Sequence, residues 1–204
     1  MKKKTNLIMV INKDLLFGDD YFNGFRLSDE INYESRILKN HEYLERNFVE
    51  KNFSYKQPIP YAIIINPNLK QMFSYKRANK NETRYKGKWS FGIGGYIEKN
   101  DKIKLNPIKA NFLRELNEEI EISGQFKIKF LGYINDDSDE LGKVHFGMLY
   151  VVETDARIIK PKDSEIANGK LRNIKELEKI CSSDKPIVET WSKIAFEYLK
   201  QYNK

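Results

Sequence analysis

The sequence predicts an α+β fold, with strands and helices packed in layers but without the regular βαβ alternation of a parallel sheet. Three observations carry this expectation. Apolar runs of strand length recur at residues 6–12, 61–65 and 144–153. Two segments, around 110–120 and 187–202, repeat their apolar residues at helical spacing. The chain has 204 residues, of which 40% are hydrophobic and 32% charged, enough for one globular domain with a full core. No internal repeat or low-complexity linker divides it. The organisation expected is a single domain over residues 1–204, with an N-terminal extension, 1–56, packed on a core, 57–204, that ends in a helix.

The elements follow in order. Residues 6–12 read as a strand, and 15–25 as an aromatic-rich turn region. Residues 33–50 read as one helix with Ile37, Tyr43, Leu44 and Phe48 toward the core. Pro58 and Pro60 punctuate the chain before a buried strand, Tyr61–Ile65. Asn66-Pro67-Asn68 turns it into a partner strand, Gln71–Arg77. Trp89-Ser90-Phe91 leads into the turn Gly92-Ile93-Gly94-Gly95, and a short strand follows at 96–98. Pro107 suits the first turn of a helix, where its missing N–H is harmless, and Asn106 suits the N-cap. A strand at 127–134, an acidic loop at 136–140 and a long strand at 144–153 come next. Helices at 174–181 and 187–202 close the chain, the last with an apolar stripe of Ile187, Trp191, Ile194, Ala195 and Leu199.

The helix that contains Arg114-Glu115-Leu116-Asn117-Glu118-Glu119-Ile120 carries the chemistry. Glu115, Glu118 and Glu119 stand at i, i+3 and i+4 and share one face. Each like-charge pair costs a few tenths of a kcal/mol, about 0.2–0.5. A hard divalent cation bound through oxygen would remove that repulsion. Taken alone, the three residues fit a solvated acidic face more simply. Ala110, Phe112, Leu113, Leu116 and Ile120 form the apolar stripe, and the carboxylates are expected roughly opposite it.

Composition narrows the function classes. Lys and Arg number 36 against 29 acidic residues, a net charge of +7, which suits phosphate-bearing partners. The lysines are scattered, with one run at Lys2–Lys4, so RNA binding has only the net charge behind it. A single cysteine, Cys181, permits no disulfide within the chain and no Cys-rich zinc site. His41 and His145 lie too far apart in sequence to suggest a His-based metal site. His145 alternates with apolar neighbours and reads as structural. The apolar runs are too short for a membrane span or a signal-peptide core, so a cytoplasmic protein without membrane attachment is expected.

A strand, a Gly-Gly turn, a loop and a helix bearing R-E-L-x-E-E resemble the Nudix hydrolase family, whose signature is G-x5-E-x7-R-E-U-x-E-E-x-G-U. Gly95 stands for the first glycine, and Arg114, Glu115, Leu116, Glu118, Glu119 and Ile122 match the second half. Arg114 lies 19 positions after Gly95 where the signature has 14, so the loop holds five extra residues. The upstream glutamate falls on Asn106, with Glu98 or Asp101 as stand-ins, and the late glycine falls on Glu121. Tyr85–Gly95, Leu131–Asp137 and Gly142–Gly147 are similar to a subgroup of MutT-type phosphoesterases. The similarity runs from about Leu7 to the C-terminus.

The resemblance implies an α/β/α sandwich with a mixed central sheet and hydrolysis of a diphosphate linkage with Mg²⁺ or Mn²⁺. It implies Glu118 and Glu119 as metal ligands, with Glu115 a third ligand or the base that orients water. Arg114 points elsewhere by helical spacing, and in the family it orients a glutamate. The Gly94-Gly95 backbone is expected to pass close to the phosphates or metals. Glu165 is the candidate base outside the motif, with Glu140 and Asp137 as rivals. Arg77, Arg84, Lys86 and Lys88 are candidates for holding phosphate. The expected substrate is a small nucleotide-derived diphosphate, with a homodimer as the default assembly. A catalytically silent nucleotide- or RNA-binding module and an RNA 5′-end pyrophosphohydrolase are the alternatives.

Overall fold

The computed structural model describes residues 6–78, 87–99, 106–182 and 188–202. Arg84, Lys86, Asp101 and Ile187 lie outside them. The elements in chain order are β1 (Leu7–Asn12), α1 (Lys13–Phe17), β2 (Gly24–Leu27), α2 (Tyr33–Asn40), β3 (Glu42–Glu45), α3 (Arg46–Val49), β4 (Tyr55–Asn66), β5 (Gln71–Arg77), β6 (Trp89–Ser90), β7 (Gly92–Gly94), α4 (Pro107–Glu119), β8 (Ile120–Ile122), β9 (Phe126–Asn135), α5 (Glu140–Val144), β10 (His145–Thr154), β11 (Ile159–Pro161), β12 (Ile166–Asn173), α6 (Ile174–Cys181) and α7 (Thr190–Tyr202). The mixture is α+β. Among the described residues no helix is long and apolar enough to cross a membrane. The chain forms two compact units: Met1–Pro60, Gly94–Leu113 and Leu131–Met148 make the first, and Tyr61–Ile93, Arg114–Phe130 and Leu149–Lys204 the second.

In the first unit β1 pairs antiparallel with β3, Ile8 facing Leu44, and with the start of β4, Ile11 facing Lys56. This corrects the single helix expected at 33–50. The backbone of β1 needs a ladder partner, and α2 ends where His41 turns extended so that Glu42–Glu45 can supply it. Leu44 packs against Ile8, Val10 and Val49, whereas Phe48 is exposed rather than core. The 15–25 region holds the end of α1 and the start of β2. Phe17, Phe22, Tyr33, Tyr133 and Phe146 stack into one aromatic core, with Tyr33 and Tyr133 ring centres 5.0 Å apart. β4 is longer than predicted and runs through both prolines, which a strand keeps where their N–H is not asked for.

A buried lysine ties this unit together. The Lys56 ammonium, 0% exposed, donates to Asp137 at 2.6 Å and to the carbonyls of Gly142 and His145 at 2.8 and 3.2 Å. Asp137 also accepts from Lys13 at 2.8 Å and Tyr21 at 3.0 Å. Burial pushes the Lys56 ammonium down to about 8, against the opposing pull of Asp137. Burial alone would raise the Asp137 carboxyl, but hydrogen bonds from Lys13 and Lys56 outweigh it and hold it low. Lys56→Met strands two carbonyls and half of the Asp137 carboxylate. It should cost about 2–4 kcal/mol in urea denaturation, below the full cost of breaking a buried pair because Lys13 remains. His145 is buried beside Tyr96, whose hydroxyl lies 3.2 Å from Nε2, as a structural histidine would be.

In the second unit β5 is the organising strand. It pairs antiparallel with β12 along its length, with the end of β4 through Ile65 and Met72, and with β6 through Tyr75 and Ser90. The Asn66 side chain accepts from the Leu69 N–H and shapes the β4–β5 turn as expected from Asn-Pro-Asn. α7 closes the unit, with Phe196 edge-on to Phe91 at 5.8 Å and Trp191 edge-on to Tyr61 at 5.7 Å.

α4 begins at Pro107. Asn106 caps it, its side-chain oxygen accepting from the N–H of Ile108 at 2.9 Å and of Lys109 at 3.3 Å. Its amide nitrogen donates to Glu34 at 2.9 Å. Asn106→Ala should therefore lower stability by about 1 kcal/mol, read as a shift in thermal midpoint.

Candidate active site

The buried face of α4 changes character along its length. Ile108, Phe112 and Leu116 are buried, while Leu113, expected in the stripe, is exposed. At about 100° per residue Glu115 and Glu119 fall on the same side as Ile108 and Phe112. They are not opposite the stripe, as the sequence had suggested. The Glu115 side chain is accordingly 16% exposed and that of Glu118 60%. Glu119 is half-buried.

The C-terminal end of α4 is fastened by an incoming loop. β8 starts directly after Glu119, and β11 pairs antiparallel with it. The chain then turns back, and the N–H groups of Lys162 and Asp163 both donate to the Glu119 carbonyl, at 2.8 and 3.2 Å. The Lys162 ammonium donates to the Asn117 carbonyl. These bonds satisfy carbonyls a helix end leaves open and set a cation at the negative end of its dipole. The Asp163 carboxylate accepts from the Glu165 N–H at 2.7 Å, and the Glu165 carbonyl accepts from the Ala78 N–H at 2.8 Å. Ile166 pairs with Arg77, so β12 carries this loop to the end of β5.

Four carboxylates thus share one field. Burial pushes the Glu119 carboxyl up to about 8; Arg77 opposes the shift, and Glu115, Asp163 and Glu165 add to it. Arg77 Nε donates to Glu189 at 2.9 Å, and its guanidinium lies 5.4 Å from the Tyr75 ring centre. Glu189, 8% exposed, also accepts from the Ser90 hydroxyl at 2.7 Å. Arg114 Nη1 reaches Glu115 at 2.8 Å and Glu118 at 3.1 Å. Its long side chain spans what helical spacing alone assigns to different directions.

Of the residues singled out from sequence, the second unit brings together Glu115, Glu119, Glu165 and Arg77, with Arg114 bridging Glu115 and Glu118. Lys88 neighbours Arg77 through its carbonyl, which accepts the Arg77 N–H at 2.9 Å. Gly94 and Gly95 are residues of the first unit. There a Cβ on Gly94 would lie 2.3 Å from the Pro60 carbonyl oxygen, so its glycine serves a close backbone approach. Asp137, a rival for the base, belongs to the Lys56 network. Glu140 is in the first turn of α5. Asp163, Ser90 and Glu189 were not anticipated; no local spacing connects them to the motif.

Among the described residues no three acidic, histidine or cysteine side chains stand close enough together to hold an ion as placed. The donor set nevertheless suits one. It consists of carboxylate oxygens, which hard divalent cations prefer, and a nearby cation would offset the upward shift that burial, and then the neighbouring carboxylates, give the Glu119 carboxyl.

Comparison with known proteins supports the fold. A scan against protein-family models finds no match. The chain is 30% identical over 210 residues to Protein YmaB of Bacillus subtilis (strain 168), covering 98% of this chain and 100% of that protein. The crystal structure of Tm1382, described as a candidate Nudix hydrolase, superposes with a TM-score of 0.77 at 27% identity, over 96% of this chain and 99% of that one. The Nudix domain of Shewanella oneidensis NrtR, solved with ADP ribose, superposes with a TM-score of 0.56 at 12% identity, over 73% of this chain and 89% of that one.

Proposed function

We propose that this chain, which belongs to the Nudix hydrolase family and is a hydrolase of diphosphate bonds, cleaves a nucleoside diphosphate conjugate with the help of Mg²⁺ or Mn²⁺. The observation that carries the reading is the loop bearing Asp163 and Glu165, which is hydrogen-bonded to the end of α4 behind Glu115 and Glu119 and to the strand end that bears Arg77. A diphosphate is anionic and repels both hydroxide and these carboxylates, so the site calls for positive charge.

Glu115, Glu118 and Glu119 would hold the cation. When bound, it supplies charge screening, polarisation of a phosphoryl oxygen and a bound water of lowered pKa. The remaining roles belong to the chain. Arg114 restrains Glu115 and Glu118 through its two ion pairs. Arg77 offers a fixed cation to the phosphates, with Lys88 as a further candidate for substrate contact. Glu165, held by the Asp163 and Ala78 hydrogen bonds, would take the proton of the attacking water as general base.

A screen for phosphomonoester products over nucleoside diphosphate conjugates, begun with ADP-ribose because the NrtR domain was solved with it, tests the reading. Release that depends on Mg²⁺ or Mn²⁺ supports it, and no release across the panel with either ion overturns it. One observation favours a second reading. Asn106 stands where the signature has a glutamate and is occupied in capping α4, which fits a silent nucleotide-binding module. A thermal shift with ADP-ribose in metal-free buffer, without turnover, would select that reading.

A further inference from the structure

Glu189 is a buried carboxylate for which the reading above has no use. Its backbone is fixed first. The Glu189 N–H donates to the Trp89 carbonyl at 2.9 Å, Trp89 and Val188 form a parallel bridge, and the Lys193 N–H donates to the Glu189 carbonyl at 3.1 Å. Its two carboxylate oxygens are then used separately. One accepts from the Ser90 hydroxyl at 2.7 Å, and the other from Arg77 Nε at 2.9 Å. Ser90 is itself 0% exposed and stands beside Tyr75 across the β5–β6 pair.

Arginine presents its donors in a planar fork. A carboxylate on Nε fixes the plane of the guanidinium and with it the directions of the two terminal nitrogens. Arg77 has its backbone in the ladder between Lys88 and Ile166. Ile166 pairs with Arg77, the Ala78 N–H donates to the Glu165 carbonyl, and the Lys162 and Asp163 N–H groups donate to the Glu119 carbonyl, so one short loop joins the strand end that carries Arg77 to the end of α4. A single lysine or unrestrained arginine would lose this direction on each encounter with an anion.

We infer that Glu189 is a positioning residue: through Arg77 Nε it holds the guanidinium as a preset clamp for the diphosphate beside the carboxylates of α4. Removing Glu189 releases Arg77 without removing its charge, so anion affinity falls while the metal ligands stay in place. This rests on the reading of α4 as the hydrolytic site.

The experiment uses the full chain and two titrations, inorganic diphosphate and Mn²⁺. It compares wild type, Glu189→Gln, Glu189→Ala, Arg77→Ala and Glu189→Ala/Arg77→Ala. Glu189→Ala and Arg77→Ala should each weaken diphosphate binding by about tenfold, as loss of one charge-assisted contact would. Glu189→Gln keeps the shape and the Ser90 bond, and should lie between Ala and wild type. The double variant should bind no worse than Arg77→Ala, because Glu189 acts through Arg77. Saturable Mn²⁺ binding should persist in all of them, because none of the α4 carboxylates is altered. Additive losses in the double variant, or wild-type affinity in folded Glu189→Ala or Glu189→Gln, would overturn the inference, as would a wild-type chain that binds Mn²⁺ but not diphosphate. Absence of Mn²⁺ binding in wild type would instead sink the α4 reading on which the inference stands.

Discussion

Glu119→Gln should lower turnover of the diphosphate substrate by about 10³-fold, equivalent to roughly 4 kcal/mol of barrier, because an amide cannot supply the anionic oxygen a hard cation needs. Glu118→Gln should do the same by the same chemistry. The two variants differ in everything else. Glu118 is 60% exposed, so its amide leaves folding stability within about 0.5 kcal/mol. Burial, with three other carboxylates adding to it, holds the Glu119 carboxyl up at about 8, so its amide changes stability in a pH-dependent way. Steady-state kinetics at saturating Mg²⁺, beside thermal denaturation of the same preparations, separates activity from folding. Full activity in either variant would remove the α4 carboxylates from the mechanism.

The metal-free protein should become less stable as pH rises from 5 to 8. The sign follows from proton counting. In the unfolded chain Glu119 ionises near the ordinary value of 4.5, and in the folded chain near 8. Between these values the native state holds more protons than the unfolded state, so stability falls with rising pH. The shift corresponds to a loss on the order of a few kcal/mol by pH 8. Glu119→Gln carries no charge and should flatten this part of the profile, making the inactive variant the more stable protein at pH 8 in chelator. Added Mg²⁺ should raise the midpoint of wild type at pH 8 and that of Glu119→Gln much less. A wild-type midpoint independent of pH over this range, with Glu119→Gln less stable than wild type at pH 8, would contradict the electrostatic account of the site.

What was legible in the sequence was what local spacing encodes. Arg114, Glu115, Glu118 and Glu119 lie within two turns of one helix, so their proximity follows from the chain itself, and Asn106 and Pro107 announce where that helix starts. The order of glycine turn, helix and later strand was enough for the fold family. Spacing was less secure about orientation. Ile108 and Phe112 set the buried face, which swings Glu115 and Glu119 inward and Leu113 outward.

Residues joined through sheet register were not legible. Arg77 reaches the site because Ile166 pairs with it, and the loop that carries Glu165 is pinned by the Glu119 carbonyl. Glu189 is 112 positions from Arg77, and the bridge between Trp89 and Val188 together with the Glu189 N–H bond to the Trp89 carbonyl brings them together. The misread helix at 33–50 failed for a related reason. Tyr43 and Leu44 satisfy a helical pattern locally, but the open backbone of β1 claims that stretch as a strand.

Binding of Mn²⁺, followed by electron paramagnetic resonance in wild type and in the triple variant Glu115→Gln/Glu118→Gln/Glu119→Gln, goes most directly to the central claim. The account predicts saturable binding in wild type at pH 8 that is lost in the folded triple variant. Binding of equal affinity in both proteins would place the cation elsewhere and contradict it.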